Sequence, residues 1–351
     1  MDGLINMAER VISQVNQVIL GKENEVEEIM IAFLAGGHVL LEDIPGVGKT
    51  TLALAFAKGM NLNFKRVQFT PDVMPSDLVG FSMYKSKEER FIYQPGSVFC
   101  NLLLADELNR TSPKTQSALL EVMEERKVTV EGVTRKVPSP FLVIATQNPP
   151  GSSGTQRLPE AQADRFMITM SIGYPDFENE LAMALAVNDQ GRIVNTLPVI
   201  TQEILLEMQT AIHNVYLSEE VGQYLLELIT ATRNHAYLET GASPRATISL
   251  VKLSRAMAWL QERSFVTPDD VMKQFQYAVP HRITLNPAAR MANISREQIV
   301  AEIIRTVKKP GLTREGSKKK STVHIEEKTG KRETATVRFG EFAMAKGWKL
   351  G

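Results

Sequence analysis

The chain has 351 residues, 40 basic against 40 acidic, with 43% apolar residues and one cysteine, Cys100. That length holds about two domains, the apolar share suits a globular chain, and a lone cysteine excludes an internal disulfide and points to a reducing cytosol. No apolar run approaches the roughly 20 residues of a membrane helix. Asp2 and Glu9 stand where a signal peptide would be basic and then apolar, so cytoplasmic residence without membrane insertion is the expectation. Ile5, Ala8, Val11, Ile12, Val15, Val18 and Ile19 recur at helical spacing, and Gly21 stops that helix. A second helix is expected from Glu23 to Ala35.

An apolar strand, His38 to Leu41, then runs into Asp43-Ile44-Pro45-Gly46-Val47-Gly48-Lys49-Thr50 and an Ala- and Leu-rich helix from Thr50 to Lys58. Glycines let successive backbone N–H groups turn into one concavity, and the helix N-terminus adds positive potential there. Lys49 is placed to reach the β- and γ-phosphates of a nucleotide, and the Thr50 hydroxyl to bind Mg(II). Pro45, Gly46, Val47, Gly48, Lys49, Thr50 and Thr51 are therefore candidate contacts to ATP. Asp43 stands where the strict phosphate-loop pattern has its first glycine.

Phe64 to Phe69 reads as the next strand, and residues 70–98 show few periodic signals, with Pro71, Pro75, Gly80 and Pro95 spread along them. Leu102-Leu103-Leu104-Ala105-Asp106-Glu107 is a buried-strand run ending in two carboxylates. Parallel strands covered on both faces carry their chemistry at their carboxyl ends. Asp106 is a candidate for the metal shell and Glu107 for polarising water. Cys100, just before that strand, reads as a small core residue. Alternation around Glu131-Gly132-Val133 predicts a hairpin over 127–137. A third strand, Leu142 to Thr146, leads to Gln147-Asn148-Pro149, where the Asn148 amide is able to hold the attacking water without adding charge.

The order of these motifs, followed by Leu158-Pro159-Glu160-Ala161-Gln162-Ala163-Asp164-Arg165-Phe166, resembles the MoxR family of AAA+ ATPases. So do Ala105-Asp106-Glu107-Leu108-Asn109-Arg110-Thr111-Ser112-Pro113-Lys114-Thr115-Gln116-Ser117-Ala118-Leu119-Leu120-Glu121 and Gly241-Ala242-Ser243-Pro244-Arg245-Ala246; the resemblance spans about residues 5–305. It implies an α/β P-loop core, a parallel sheet with flanking helices, followed by a small all-helical lid. It also implies an ATP- and Mg(II)-dependent chaperone that assembles with itself into a ring, expected to be a hexamer, and acts on a partner protein, often one with a von Willebrand factor A domain and a bound metal. By the same resemblance Ile19 and Gly21 either contact the base or simply form the helix junction. The insertion at 70–98 projects toward a pore, with Phe81 and Tyr84 either gripping substrate or packing locally, and the 127–137 hairpin sits where a second pore-facing hairpin is found. Arg165 matches an arginine finger that reaches the neighbouring subunit's γ-phosphate, or else pairs locally with Asp164. Arg245 matches a second phosphate-sensing arginine, in the first turn of a helix that Ser243 and Pro244 are suited to start.

The expected organisation is a core over 1–175, a linker over 176–200, a lid over 201–310 and a tail over 311–351. From Arg305 to Arg338 the chain carries 11 basic and 4 acidic residues, leaving the body acidic and giving it no general pull on nucleic acid. Two segments, 322–325 and 334–339, are able to pair as a hairpin; that tail reads as either a partner-docking element or a disordered end. The competing functions are a chelatase motor subunit and a nucleic-acid motor. The five histidines lack ligand spacing, and no G-x-S-x-G elbow is present.

Overall fold

The computed structural model describes residues 2–44, 46–148, 158–185 and 197–311. The chain divides into two units, Met1–Pro310 and Gly311–Gly351. The second lies outside the described residues apart from Gly311, and with it the anticipated tail hairpin. Pro45, in the phosphate loop, is likewise outside them.

Helix α1 (Asp2–Val18) and helix α2 (Glu23–Leu34) open the chain. Ile5, Ala8, Val11 and Val15 are buried, the stripe that their spacing requires. Strand β1 (Val39–Glu42), helix α3 (Lys49–Gly59) and strand β2 (Phe64–Gln68) follow. The 70–98 segment, which lacks periodicity in sequence, is more ordered than that reading allows. It holds a short helix α4 (Pro75–Val79) and an antiparallel hairpin of β3 (Phe81–Lys85) with β4 (Arg90–Gln94). Both hairpin strands are largely exposed, so no alternation of buried and open residues marks them. Tyr84 packs edge-to-face on Phe91 at 5.4 Å, while Phe81 stays 47% exposed.

Strand β5 (Leu102–Asp106) leads to helix α5 (Pro113–Glu125), whose Ser112 cap accepts from the Thr115 N–H. Strands β6 (Lys127–Val130) and β7 (Val133–Lys136) form the expected hairpin, closed by Glu131 and Gly132 alone. Strand β8 (Leu142–Gln147), helix α6 (Glu160–Ala163) and strand β9 (Ile168–Met170) complete the core. The sheet runs β2-β5-β8-β1-β9, all parallel. Side chains alternate between its faces. Leu41, Leu102, Leu104 and Ile144 pack toward α1 to α3, whereas Leu40, Leu103 and Val143 pack on Leu119, Leu120 and Met123 of α5. Cys100 is a fully buried member of that second layer, and burial pushes its thiol up to about 12.

Helix α7 (Phe177–Leu185) precedes residues 186–196, which lie outside the described ones. Helices α8 (Gln202–Ile212) and α9 (Glu219–Arg233) come next, then strand β10 (Leu238–Thr240), helices α10 (Pro244–Leu260) and α11 (Pro268–Ala278), and strand β11 (Thr284–Leu285). Helices α12 (Pro287–Met291) and α13 (Arg296–Thr306) end the lid. Its largest buried residues, Tyr224, Trp259 and Phe275, belong to the same apolar cluster as Phe33 of α2. A polar tie joins these parts too: fully buried Glu28 of α2 meets Lys273 at 2.9 Å and accepts from Gln274 at 2.7 Å, both on α11. Burial drives the Glu28 carboxyl above its ordinary range, against the pull of Lys273.

Candidate nucleotide site

Parallel strands put all five carboxyl ends on one edge of the sheet, and the loop after β1 lies there. Gly46 and Gly48 have φ of +92° and +87°, a region closed to most side chains, so the loop's curl needs glycine at both positions. Helix α3 starts at Lys49 directly after Gly48 and aims its first N–H groups at the loop. Asp43 replaces a glycine because its side chain has work of its own. Its buried carboxylate accepts from the Ser171 hydroxyl at 2.6 Å, from Ile172 N–H at 2.7 Å and from Gly173 N–H at 3.0 Å. That network pins the end of β1 to the chain leaving β9.

Lys49 donates to the carbonyls of Asp43 at 2.9 Å and Ile44 at 3.2 Å, folded back over the loop. Burial pulls its ammonium below the ordinary lysine range, opposed by Asp43, Asp106 and Glu107. Phosphates arriving at the loop would supply the negative charge that this buried cation lacks.

The carboxylates form one hydrogen-bonded group across β5 and β8. The Thr146 hydroxyl donates to Asp106 Oδ1 at 2.7 Å and accepts from the Glu107 N–H at 2.8 Å. Glu107 sits in left-handed backbone, φ 56°, which turns its side chain off the strand line and toward the loop. Asn148 Nδ2 donates to Glu107 Oε1 at 3.3 Å, and Arg110 to Oε2 at 2.8 Å. Burial pushes the Glu107 carboxyl up, but hydrogen bonds from Arg110, Asn148 and Gln68 together hold it below the ordinary range. The Asn109 side chain donates to Asn148 O and accepts from Asn148 N–H, at 3.2 Å each, which holds the Asn148 backbone in place at the end of β8.

Gly46, Gly48, Lys49, Thr50, Thr51, Asp106, Glu107 and Asn148 line one cleft of about 230 Å³, joined by Arg66 and Gln68. Sequence reasoning passed over those last two. Arg66 Nη2 meets Asp106 Oδ2 at 2.6 Å. The available signal was the run Lys65-Arg66-Val67-Gln68, too polar for a strand covered on both faces and typical of an edge strand beside a polar cleft. The Thr50 hydroxyl and the Asp106 carboxylate share that cleft with the loop, an oxygen-only donor set suited to Mg(II). Each Asp106 oxygen keeps a lone pair beyond its present hydrogen bond, so it is able to hold a metal-bound water.

Arg165 and Arg245 are not in this cleft. Strand β9 begins at Ile168, and Arg165 lies in the loop before it, at the amino edge of the sheet. Helix α5 ends at that same edge, where Arg126, just past it, donates to the carbonyls of Gly36 and Phe141, the residues leading into β1 and β8. Arg165 Nε and Arg245 Nη2 meet the two oxygens of Glu124 at 3.0 and 2.5 Å. Arg165 therefore does not pair with Asp164, and Arg245 lies across the sheet from its own phosphate loop. Asp164 instead meets Arg282 at 2.8 Å and accepts from the Ser243 hydroxyl at 3.1 Å. That use of Ser243 explains why its side chain makes no capping bond to α10.

A glycine phosphate loop, an amide strand beside its own strand, a carboxylate strand next and a helical lid define an AAA+ nucleotide-binding protein. Residues 38–168 match the family model of the ATPase family associated with various cellular activities (AAA), and residues 230–303 match the AAA lid domain. The chain is 45% identical to the uncharacterized protein YeaC of Bacillus subtilis over 86% of this chain and 94% of that one. It is 37% identical to Chaperone MoxR1 of Mycobacterium tuberculosis, over 87% of this chain and 83% of the relative. A crystal structure of a candidate ATPase from Cytophaga hutchinsonii superposes with a TM-score of 0.82 at 39% identity, covering 88% of this chain and 96% of that one. The chain belongs to the MoxR family of AAA+ ATPases. Among the described residues, no helix is long and apolar enough to cross a membrane.

Proposed function

We propose that this chain hydrolyses ATP with Mg(II) in a ring of its own copies and uses the cycle to remodel a partner protein. The observation that carries the hydrolysis is the Asn148–Glu107 contact beside Lys49 and Thr50 in one cleft. Phosphoryl transfer to water asks the protein mainly for positioning and charge. Lys49 neutralises developing charge on the phosphates; Thr50 and Asp106 would hold Mg(II), which supplies further neutralisation when bound. Glu107 and Asn148 place the water between a carboxylate oxygen and an amide. With its carboxyl held below the ordinary range, Glu107 is ionised at neutral pH and ready to polarise that water.

Arg165 and Arg245 complete the site of a neighbouring copy. Their place at the amino edge, paired on one carboxylate, supports action between subunits, and two cations so placed suit a γ-phosphate presented by another chain. Chaperone work is supported by the name of the mycobacterial relative. A partner with a von Willebrand factor A domain is the client class we propose, with a hexameric ring, cytoplasmic residence, a linker over 176–200 between core and lid, and the 311–351 tail as an element for partner docking.

Two variants test the reading. Lys49→Ala should abolish tight nucleotide binding. Glu107→Gln should keep fluorescent ATP bound but lose hydrolysis by roughly 10²–10⁴-fold, the usual worth of a positioned base. Used as a trap in an ATP pull-down, Glu107→Gln should retain the client. Wild-type turnover by Glu107→Gln would sink the assignment.

A further inference from the structure

Arg282 is the most thoroughly buried arginine of the junction between core and lid. Its side chain is 1% exposed, yet it makes polar contacts in every direction. It donates to the backbone carbonyls of Asp164 at 3.2 Å, Phe166 at 2.7 Å and Met167 at 3.2 Å. On the lid side it donates to Ala278 O at 2.6 Å and Ser249 Oγ at 3.1 Å. Its Nε meets Asp164 Oδ1 at 2.8 Å. Carbonyls on both sides of Arg165 thus accept from one lid side chain, which ties the finger's main chain to the lid. Asp164 closes the arrangement, because its carboxylate also takes the Ser243 hydroxyl and meets Arg245 at 3.4 Å, joining the first turn of α10 to the finger loop. Removing such a buried guanidinium from water is costly, so its retention here needs a full set of partners. Burial lowers Arg282 to about 10, with Asp164 acting against that loss.

We propose that Arg282 and Asp164 are positioning residues that splint the two arginines, so that lid and finger are presented to the neighbouring nucleotide as one rigid unit. This rests on the reading of Arg165 as acting between subunits. A splint of this kind means that any lid rotation changes the finger's aim, which ties hydrolysis at one site to the lid position of the next subunit.

Subunit mixing with full-length protein tests the splint. The control mixes Arg165→Ala with Lys49→Ala, and one interface in about four at equal ratio then has an intact loop facing an intact finger. Recovery in that control establishes action between subunits; no recovery in rings shown to exchange subunits overturns that reading and the splint with it. Asp164→Asn should lower turnover about tenfold or more while the Kd for a fluorescent ATP analogue stays within about twofold, because only the presented edge is damaged. It should recover when mixed with Lys49→Ala and fail to recover with Arg165→Ala, since both of those variants are damaged at the same edge. Arg282→Lys keeps the charge but reaches fewer carbonyls and should show the same pattern more mildly. Should Asp164→Asn unfold, Ser243→Ala and Arg282→Lys carry the test. If the control recovers while these variants turn over normally, or recover with Arg165→Ala instead, the splint is wrong.

Discussion

At the scale of single residues, the cleft is an arrangement of opposed charges in which each side chain is held by a named partner. Lys49 waits on two carbonyls, Glu107 on Arg110 and Asn148, and Asp106 on Thr146 and Arg66. The last pair has a consequence. Arg66 partly neutralises the carboxylate suited to the Mg(II) shell, so the guanidinium's charge opposes a cation there. The Arg66 side chain is 46% exposed, and such half-open pairs are worth about 0.5–1 kcal/mol. Arg66→Met should therefore lower the Mg(II) concentration needed for half-maximal ATP binding by about two- to fivefold. A Mg(II) titration of fluorescent-nucleotide binding reads this; an unchanged midpoint would show that the pair does not restrain the carboxylate. Most of these residues were legible in the sequence because phosphate chemistry demands particular side chains at particular offsets. Asp43 was legible only as an exception. Its reason, three hydrogen bonds from the chain beyond β9 some 128–130 positions away, exists only in the fold.

At the scale of elements, helices and buried strands were readable where a face is buried, and unreadable where none is. The stripe of α1 and the apolar runs of β5 and β8 follow directly from which faces are covered. The β3–β4 hairpin is open on both faces and carries no period, and β10 with β11 are three and two residues long, too short to hold one. Caps were legible where they are local, and α11 shows how much one can carry. The buried Asp270 carboxylate takes Thr267 N–H at 2.7 Å and Thr267 Oγ at 2.8 Å, together with Arg263 at 2.5 and 2.7 Å. Asp270→Ala removes a capping box and strands a cation, a loss of about 3 kcal/mol. Thermal unfolding should fall by about 5–10 °C. Its neighbour Asp269 pairs with Lys309 at 2.5 Å, but the two side chains are 73% and 45% exposed. Asp269→Ala should therefore move stability by less than about 0.5 kcal/mol. Equal losses in the two variants would show that burial is not what sets the worth of these pairs.

At the scale of the whole molecule, function depends on which residues the sheet places on its opposite edges. Loop, carboxylates and amide gather at the carboxyl edge, while both arginines gather at the amino edge on Glu124. The resemblance already sets Arg165 away from its own phosphate loop; what motif order does not carry is that Arg245 reaches the same edge and that both arginines meet on Glu124. The same packing buries two histidines against the amino edge, where they hold loops in place. His38 Nδ1 accepts from Val143 N–H at 3.1 Å and its Nε2 donates to Met123 O at 3.3 Å. His281 Nε2 donates to Phe166 O at 3.0 Å, in the finger loop itself. Burial holds both rings well below the ordinary histidine range, helped by Arg126 beside His38 and Arg282 beside His281. Both are thus neutral when folded but take up a proton near pH 6.5 when unfolded. The unfolded state binds more protons below that pH, so stability is full above about pH 6.5 and falls as pH drops, by about 1.4 kcal/mol per unit for each ring. From pH 7.5 to 5.5 the two together should cost about 3 kcal/mol. Glu28, raised by burial, works in the opposite sense as pH falls toward its own range, so the comparison of variants matters more than the total. His38→Gln and His281→Gln should each remove about half of the histidine loss from the pH dependence of denaturant unfolding. They should do so even if they lower stability at pH 7.5, since the slope reports only the difference in bound protons. Slopes identical to wild type in both variants would mean that the buried rings already bind protons in the folded chain.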